Sequence, residues 1–76
     1  EGIAAGIPDS IQFAGKYGER SYDATRQLHD CGIVYYPKRP YVLCIMTRGS
    51  DYDELVRVIS DISQSVYDAY DQQTPQ

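Results

Sequence analysis

The sequence has no tryptophan, one phenylalanine, one histidine and two cysteines, and these scarcities exclude several kinds of site. Two cysteines cannot build a disulfide-dense scaffold, because small domains of that class use several bridges. Cys31 and Cys44 stand apart with only one histidine in the chain, which is not the spacing of a zinc finger. We therefore expect no metal and no cofactor.

Basic residues are also few: seven lysines and arginines stand against eleven acidic residues, for a formal net charge of -4. An acidic chain offers no electrostatic footprint for nucleic acid or an anionic membrane surface. The longest apolar run, residues 41–46, is far too short to span a bilayer. No basic segment followed by an apolar one marks a signal peptide. We expect no nucleic-acid partner, no membrane span and no targeting signal within these residues.

What is present is one small piece, residues 1–76, long enough for a single domain. A chain of this length hides only roughly 60% of its unfolded surface, so we expect a marginal core. Eight of the nine aromatic residues are tyrosines, which suit surfaces where one end of the side chain stays wet. The composition predicts an ordered, acidic, soluble piece but does not identify its function.

Three segments have the residue types of β-strands, with β-branched and aromatic residues or a short apolar–polar alternation. Residues 1–10 are predicted to form a turn-rich segment before the first strand, because they contain two glycines and a proline. Residues 19–28 are polar without a clear period, which predicts a loop. The predicted strands are residues 11–14, with a possible extension to 18, then 29–36 and 41–47.

The last two strands are predicted to form a hairpin whose tip is the segment 37–40, bracketed by prolines. If Lys38 and Arg39 form a two-residue turn, Cys31 lies opposite Met46, and Cys44 lies opposite Ile33, two residues further along the strand. The two cysteines then share a face diagonally, roughly 7 Å apart between α-carbons. Because that separation is at the limit for a disulfide, we expect two buried thiols that act as small apolar residues. The alternative is a disulfide between them, which an exported protein would permit.

An amphipathic helix is predicted over residues 51–71, followed by a frayed tail at 72–76. Ser50 is the expected N-cap, with Asp53 at the third position of a capping box. Negative charge in the first turn also suits the helix dipole. Apolar residues recur every three or four positions and define the expected buried stripe: Leu55, Val58, Ile59, Ile62, Val66, Ala69 and Tyr70.

These elements predict an α+β fold, a three-stranded antiparallel sheet with one C-terminal amphipathic helix. A central strand as apolar as residues 41–47 is expected to be buried on both faces. One helix can cover only one of them. Something else is therefore expected to cover the other face or pair with the open edge, and the open sheet makes a homo-oligomer possible.

The residues also resemble a known family. A strand preceded by Ile7-Pro8 and followed by Gly15-Lys16-Tyr17-Gly18 resembles the segment around the K-[S/T]-G motif of penicillin-recognising serine hydrolases. The hairpin segments 30–37 and 40–49, with the acidic-capped helix after them, look like the carboxy-terminal end of class A β-lactamases. The resemblance covers residues 7 to about 70. It implies that this chain is a piece of a larger α/β domain, whose amino-terminal helix and two further strands complete the layers.

The resemblance also implies roles for four residues. Lys16 matches the motif lysine, which offers a compact positive charge to the substrate carboxylate and to the proton network around the nucleophile. Gly18 matches the glycine that lets substrate approach the strand. The backbone N–H of Glu19 would be one donor of the oxyanion hole. Tyr17 stands where the family has a Ser or Thr that contacts the substrate carboxylate, so the chain departs from the pattern there.

Two further groups of residues are candidates for membership of that site. A second cation often binds the substrate carboxylate in this family, but its usual position holds Cys31. Arg20, Arg26 or Arg48 could substitute, although each is more often a surface charge. His29 and Asp30 suggest an acid–base pair, but adjacent strand residues point to opposite faces and cannot share one site.

The implied activity is acyl transfer on β-lactams or acyl-D-alanine amides, in an extracytoplasmic location. No serine of the chain has a lysine three residues on, so the family's S-x-x-K nucleophile motif is absent, and this piece alone is expected to be inactive. One alternative is a non-catalytic penicillin-binding-like fold that serves as a binding module. Another is a small free-standing α+β domain that dimerises through its apolar sheet face.

Overall fold

The computed structural model describes residues 2–73, and in them it contains one sheet and one long helix. The three strands are antiparallel in the order β1-β2-β3. This arrangement confirms the predicted α+β fold. The elements in chain order are a 3₁₀ helix at Gly2–Gly6, β1 at Phe13–Tyr22, β2 at Thr25–Val34, β3 at Tyr41–Gly49 and α1 at Tyr52–Gln73.

The predicted loop at residues 19–28 is wrong, because β1 and β2 run through it as one long hairpin. The two strands meet at a tight turn at residues 23–24, where Asp23 adopts a φ of 47°. Aspartate tolerates this left-handed region better than most residues. Residues 19–26 are exposed, so no side of this part of the hairpin is buried. That exposure explains why its sequence lacks an apolar–polar alternation.

The connection between β2 and β3 is longer than predicted. It contains a turn in which Pro37 is followed by Lys38 at a φ of 69°, and the Arg39 N–H donates to the Tyr36 carbonyl over 3.0 Å. Proline followed by a residue at positive φ is the pattern of a type II turn. The predicted register was therefore wrong by two residues: Cys31 lies opposite Cys44 and not opposite Met46.

Helix α1 begins one residue later and ends two residues later than predicted. Its cap is the Asp51 carboxylate, which accepts hydrogen bonds from the N–H groups of Asp53 (3.1 Å) and Glu54 (3.4 Å). The predicted cap Ser50 was therefore wrong by one residue. Aspartate and serine are comparable caps, so residue type alone does not separate Ser50 from Asp51. Of the predicted frayed tail, residues 72 and 73 are helical and residues 74–76 lie outside the described residues.

The core lies between the sheet and α1, and the segment before the first strand completes it. Ile3 and Ile7 are buried there, although residues 1–10 were predicted only as a turn-rich entry. The 3₁₀ helix approaches α1 closely because Ser63 donates to the Ile3 carbonyl over 2.8 Å. A Cβ at Gly6 would come within 2.4 Å of the Ser60 carbonyl oxygen. The buried apolar residues are Ile3, Ile7, Leu28, Val34, Tyr36, Ile45, Leu55 and Ile59.

The predicted stripe on α1 is therefore only partly correct. Leu55 and Ile59 are buried, but Val58 and Ile62 are 37% and 42% exposed. Ser63 takes the inward position instead, since a small side chain leaves room for the 3₁₀ helix. A second apolar strip of the helix thus faces outward in the described residues.

One face of the sheet is covered and the other is open. We call the face under α1 the inner face and the opposite one the outer face. Val42 and Met46 on the outer face are 72% and 81% exposed, so the expectation that this strand is buried on both faces does not hold here. The strand β3 is also an edge strand rather than a central one. No helix in residues 2–73 has the length and apolar character to cross a membrane.

A cluster of tyrosines joins the β2–β3 hairpin to the end of α1. Tyr70 packs against Tyr36 and Tyr41, with ring centroids 5.1 and 4.7 Å apart, and donates to the Arg39 carbonyl over 2.8 Å. Burial raises the pKa of Tyr41, and the neighbouring Tyr67 and Tyr70 raise it further. The cluster holds the tip of the hairpin against the helix.

Replacing Ile59 with alanine is expected to lower the free energy of unfolding by about 3 kcal/mol, because its side chain is fully buried between helix and sheet. The neighbouring Val58→Ala variant is the control and is expected to cost below about 1 kcal/mol. Urea denaturation followed by circular dichroism measures both. Equal losses in the two variants would contradict the described orientation of α1.

Candidate active-site wall

The predicted site residues lie on β1, which is an edge strand of the described sheet. Side chains alternate between the two faces of a strand. In β1, Tyr17 pairs with the buried Asp30 and Glu19 with the buried Leu28, so both point to the inner face. Lys16 and Gly18 therefore lie on the outer face. The four residues are adjacent in sequence, but their side chains divide between two sides of the sheet.

The backbone of Glu19 faces the open edge. The α-carbons of Cys31 and Cys44 are 4.1 Å apart, which is the close spacing of a pair that is not hydrogen-bonded across an antiparallel ladder. Cys31 therefore directs its backbone groups toward β1, and so do the other odd-numbered residues of β2. The hydrogen bond from the Tyr35 N–H to the Gln12 carbonyl agrees with this pattern, because Tyr35 is also odd-numbered and also bonds toward β1. It follows that even-numbered residues of β1 bond to β2, while the Glu19 N–H points to the open edge.

Tyr17 is engaged on the inner face. Its hydroxyl lies 2.7 Å from the hydroxyl of Tyr52, the first residue of α1. The side chain is 39% exposed, so it is a half-covered strand aromatic. In this position the phenol ties the edge strand to the helix and leaves the outer face beside Lys16 uncovered.

His29 lies over the motif glycine on the outer face. A Cβ added to Gly18 would fall 2.2 Å from the His29 Nε2, so the imidazole occupies the surface that a side chain at Gly18 would take. Asp30 points the other way, is 3% exposed and accepts a hydrogen bond from the Ile3 N–H over 2.9 Å. The expectation that His29 and Asp30 cannot share a site is therefore confirmed.

In the sequence, His29 has little weight because it and Asp30 point to opposite faces of a strand. Its place opposite Gly18 was not predicted, because residues 19–28 were predicted as a loop. The missing signal was the tight turn at residues 23–24. Once that turn is placed, counting back along both strands brings Gly18 opposite His29. In that register, the absence of a side chain at Gly18 leaves the space that the His29 ring occupies.

The two cysteines form a disulfide, which corrects the prediction of two buried thiols. They are direct ladder partners, and Lys16 is the partner of Cys31 on the other side. The bridge lies on the outer face, where Cys31 is half-buried and Cys44 exposed. It covalently joins β2 to β3 beside Lys16.

The arginines considered as second cations divide between the faces. Arg26 is on the inner face, where it forms an ion pair with Glu19 at 3.4 Å and lies over the Tyr52 ring at 5.5 Å. Arg20 and Arg48 are on the outer face, because both pair in register with Gln27. Only these two arginines share a face with Lys16.

Among residues 2–73, no three His, Cys, Asp or Glu side chains gather in a way that could hold a metal ion.

Similarity of the chain to known proteins is found at the level of a family. A protein-family model described as the β-lactamase enzyme family matches residues 1–70. No curated protein matches the chain, and no solved structure does.

The double substitution Cys31→Ala with Cys44→Ala is expected to lower the free energy of unfolding by about 3 kcal/mol, because the bridge closes a short loop in the unfolded chain. The cysteines are 13 residues apart in sequence. Chemical denaturation compares the variant with reduced and oxidised protein, and the reduced protein is expected to match the variant. Two free thiols in the denatured, unreduced protein would contradict the bridge.

Proposed function

The chain belongs to the β-lactamase enzyme family, and from that premise we propose that it forms one wall of the active site of a serine hydrolase. The proposed reaction is acyl transfer on a β-lactam or an acyl-D-alanine amide. The observation that carries the proposal is the open edge of β1, where the exposed Lys16 lies on the outer face and the Glu19 N–H points into the open edge.

In this proposal Lys16 attracts the substrate carboxylate and orients the scissile carbonyl. Its exposed ammonium has no acidic partner within residues 2–73, so its charge is available to a ligand. The Glu19 N–H holds the oxyanion as the carbonyl becomes tetrahedral, a contact whose loss costs roughly 3 kcal/mol of transition-state stabilisation. The His29 ring occupies the outer face over Gly18, so substrate is proposed to approach the strand backbone from the open edge of β1.

The nucleophile is proposed to come from a part of the protein other than these residues, since no S-x-x-K occurs in them. The serine attacks the carbonyl, transfers its proton to a neighbouring base, and forms an acyl-enzyme as the amine leaves. Water then hydrolyses the ester. This chain binds and orients the substrate, and alone it performs no chemical step.

The position of Tyr17 favours one alternative. In the family a Ser or Thr hydroxyl stands there, but here the phenol hydroxyl bonds to Tyr52 on the inner face. A non-catalytic penicillin-binding-like fold would tolerate that loss of a substrate contact, and the chain would then belong to a binding module. Covalent capture of substrate separates the two functions.

We also propose an extracytoplasmic location, in the cell envelope, the periplasm or the medium. The family is typically found there, and the Cys31–Cys44 bridge supports it, because disulfides form and persist in oxidising compartments.

In the protein that carries this chain, Lys16→Ala is expected to lower kcat/KM for a chromogenic β-lactam by roughly ten- to a hundredfold, the value of one charge-assisted contact. The matched control is Lys38→Ala, which removes the other lysine, at the exposed hairpin tip. Turnover assays with both variants measure the effect. Loss of activity in both variants to the same degree would contradict a specific role for Lys16.

A fluorescent penicillin is expected to label the protein that carries this chain, and to leave the isolated 76 residues unlabelled, because acylation needs the serine. Gel fluorescence after denaturation measures covalent capture. If the whole protein folds but neither takes the label nor turns over the chromogenic β-lactam, the catalytic proposal fails and the binding-module alternative stands. Turnover by the isolated chain would overturn the assignment of the nucleophile to another part.

A further inference from the structure

The outer face of the sheet carries positive charge and no acidic side chain. Its side chains form rows across the three strands, each row two residues from the next. No strand residue on this face is aspartate or glutamate. Its basic residues are Lys16 in one row and the pair Arg20 and Arg48, which flank Gln27 in another. In a chain of net charge -4, this concentration of cations is local.

The two outer-face arginines have no ion pair within residues 2–73, whereas Arg26 on the inner face does. Arg20 is held by its neighbour Tyr22, since its guanidinium lies 5.2 Å from the centre of that ring. Such stacking orients the planar group and leaves its N–H donors exposed at the rim. The donors on this face are therefore available to an external acceptor.

A cavity of about 230 Å³ opens beside this row. Its side walls are Arg48 and Met46 from β3 and Gln27 and His29 from β2, and the backbone of Leu28 and Thr47 completes it. Pockets that enclose a whole drug-sized ligand have about 300–1,000 Å³, so this one has room only for a terminal group of a larger molecule. Guanidinium and amide donors above a methionine suit an anionic group on an apolar stem.

The cavity adjoins the proposed active-site wall. His29 forms one of its sides and lies over Gly18. Rows along a strand are about 7 Å apart, so the arginine row is about 14 Å from Lys16. That separation is too large for one carboxylate to contact both, so an anion in the cavity would be a second group, separate from the one beside Lys16.

We propose that this cavity, the anion pocket, binds a second carboxylate of the substrate, about 14 Å from the group beside Lys16. Arg48, which lines the pocket, supplies the charge, Gln27 donates beside it, and Met46 packs against the aliphatic stem. Arg20 adds positive charge from the other side of Gln27 in the same row. The identity of the ligand as the substrate rests on the proposed function. The binding of a carboxylate in the pocket does not.

The first test is a titration of the protein that carries this chain with acetate, followed by NMR of the arginine side chains and the amides of Gln27 and His29. Saturable shifts are expected at these positions, and Arg48→Gln is expected to abolish them. The matched control Arg57→Gln alters an exposed arginine on α1 and is expected to leave them unchanged. Absence of saturation, or equal shifts at Arg57, would overturn the pocket. Tighter binding of inorganic phosphate at the same residues would overturn the assignment to a carboxylate.

The second test compares two acyl-D-alanine amide substrates that differ only in a carboxylate at the far end of the acyl chain. Arg48→Gln is expected to lower kcat/KM about tenfold for the carboxylate form and to leave the neutral form unchanged. Equal loss with both forms would overturn the role in substrate choice. If neither substrate is turned over by the unaltered protein, the proposed function fails, and the acetate titration still decides whether the pocket exists.

Discussion

The structure depends on one constraint: a single helix covers a single face of the sheet. Helix α1 and the 3₁₀ helix bury Leu28, Val34 and Ile45, and nothing within residues 2–73 covers Val42 or Met46. Outside residues 19–26, which are exposed on both faces, the environment of a strand residue therefore depends on which face its side chain is on. Inner-face residues build the core or tie the strands to α1. Outer-face residues keep their charges and are available for binding.

The same constraint divides the motif on β1 into two functions. Tyr17 and Glu19 direct their side chains inward, where they contact Tyr52 and Arg26 and fix the edge strand to the rest of the molecule. Lys16 and Gly18 face outward. The Glu19 backbone is independent of its side chain, so one residue can hold the strand in place through its carboxylate and offer its N–H at the open edge. In the proposed function, positioning of the strand and binding of substrate are thus divided between the two sides of one short segment.

The sequence predicted the fold class, the helix and the site strand, because each has a local signal: apolar spacing in α1, alternation at residues 11–14 and the Gly15-Lys16-Tyr17-Gly18 motif. It could not predict what depends on register. The β1–β2 hairpin is exposed on both faces over residues 19–26, so no apolar pattern marked it. Strand β2 ends at Val34, two residues before the end that Pro37 suggested. These two errors together hid the disulfide, the position of His29 over Gly18, and the row of arginines.

The distribution of charge between the two faces of the sheet matters more for anion binding than the net charge of the chain. A net charge of -4 argues against extended polyanions, whose binding sums over many contacts. The acidic residues, however, are concentrated elsewhere: α1 alone carries five of them and one arginine. The outer face of the sheet carries Lys16, Arg20 and Arg48 without an acidic neighbour on the strands. A carboxylate that approaches this face meets only cations at short range, and at about 0.15 M salt charges more than roughly 8 Å away are largely screened. In the proposed anion pocket, the charge of this face, and not the net charge of the whole chain, therefore decides which small anion is bound.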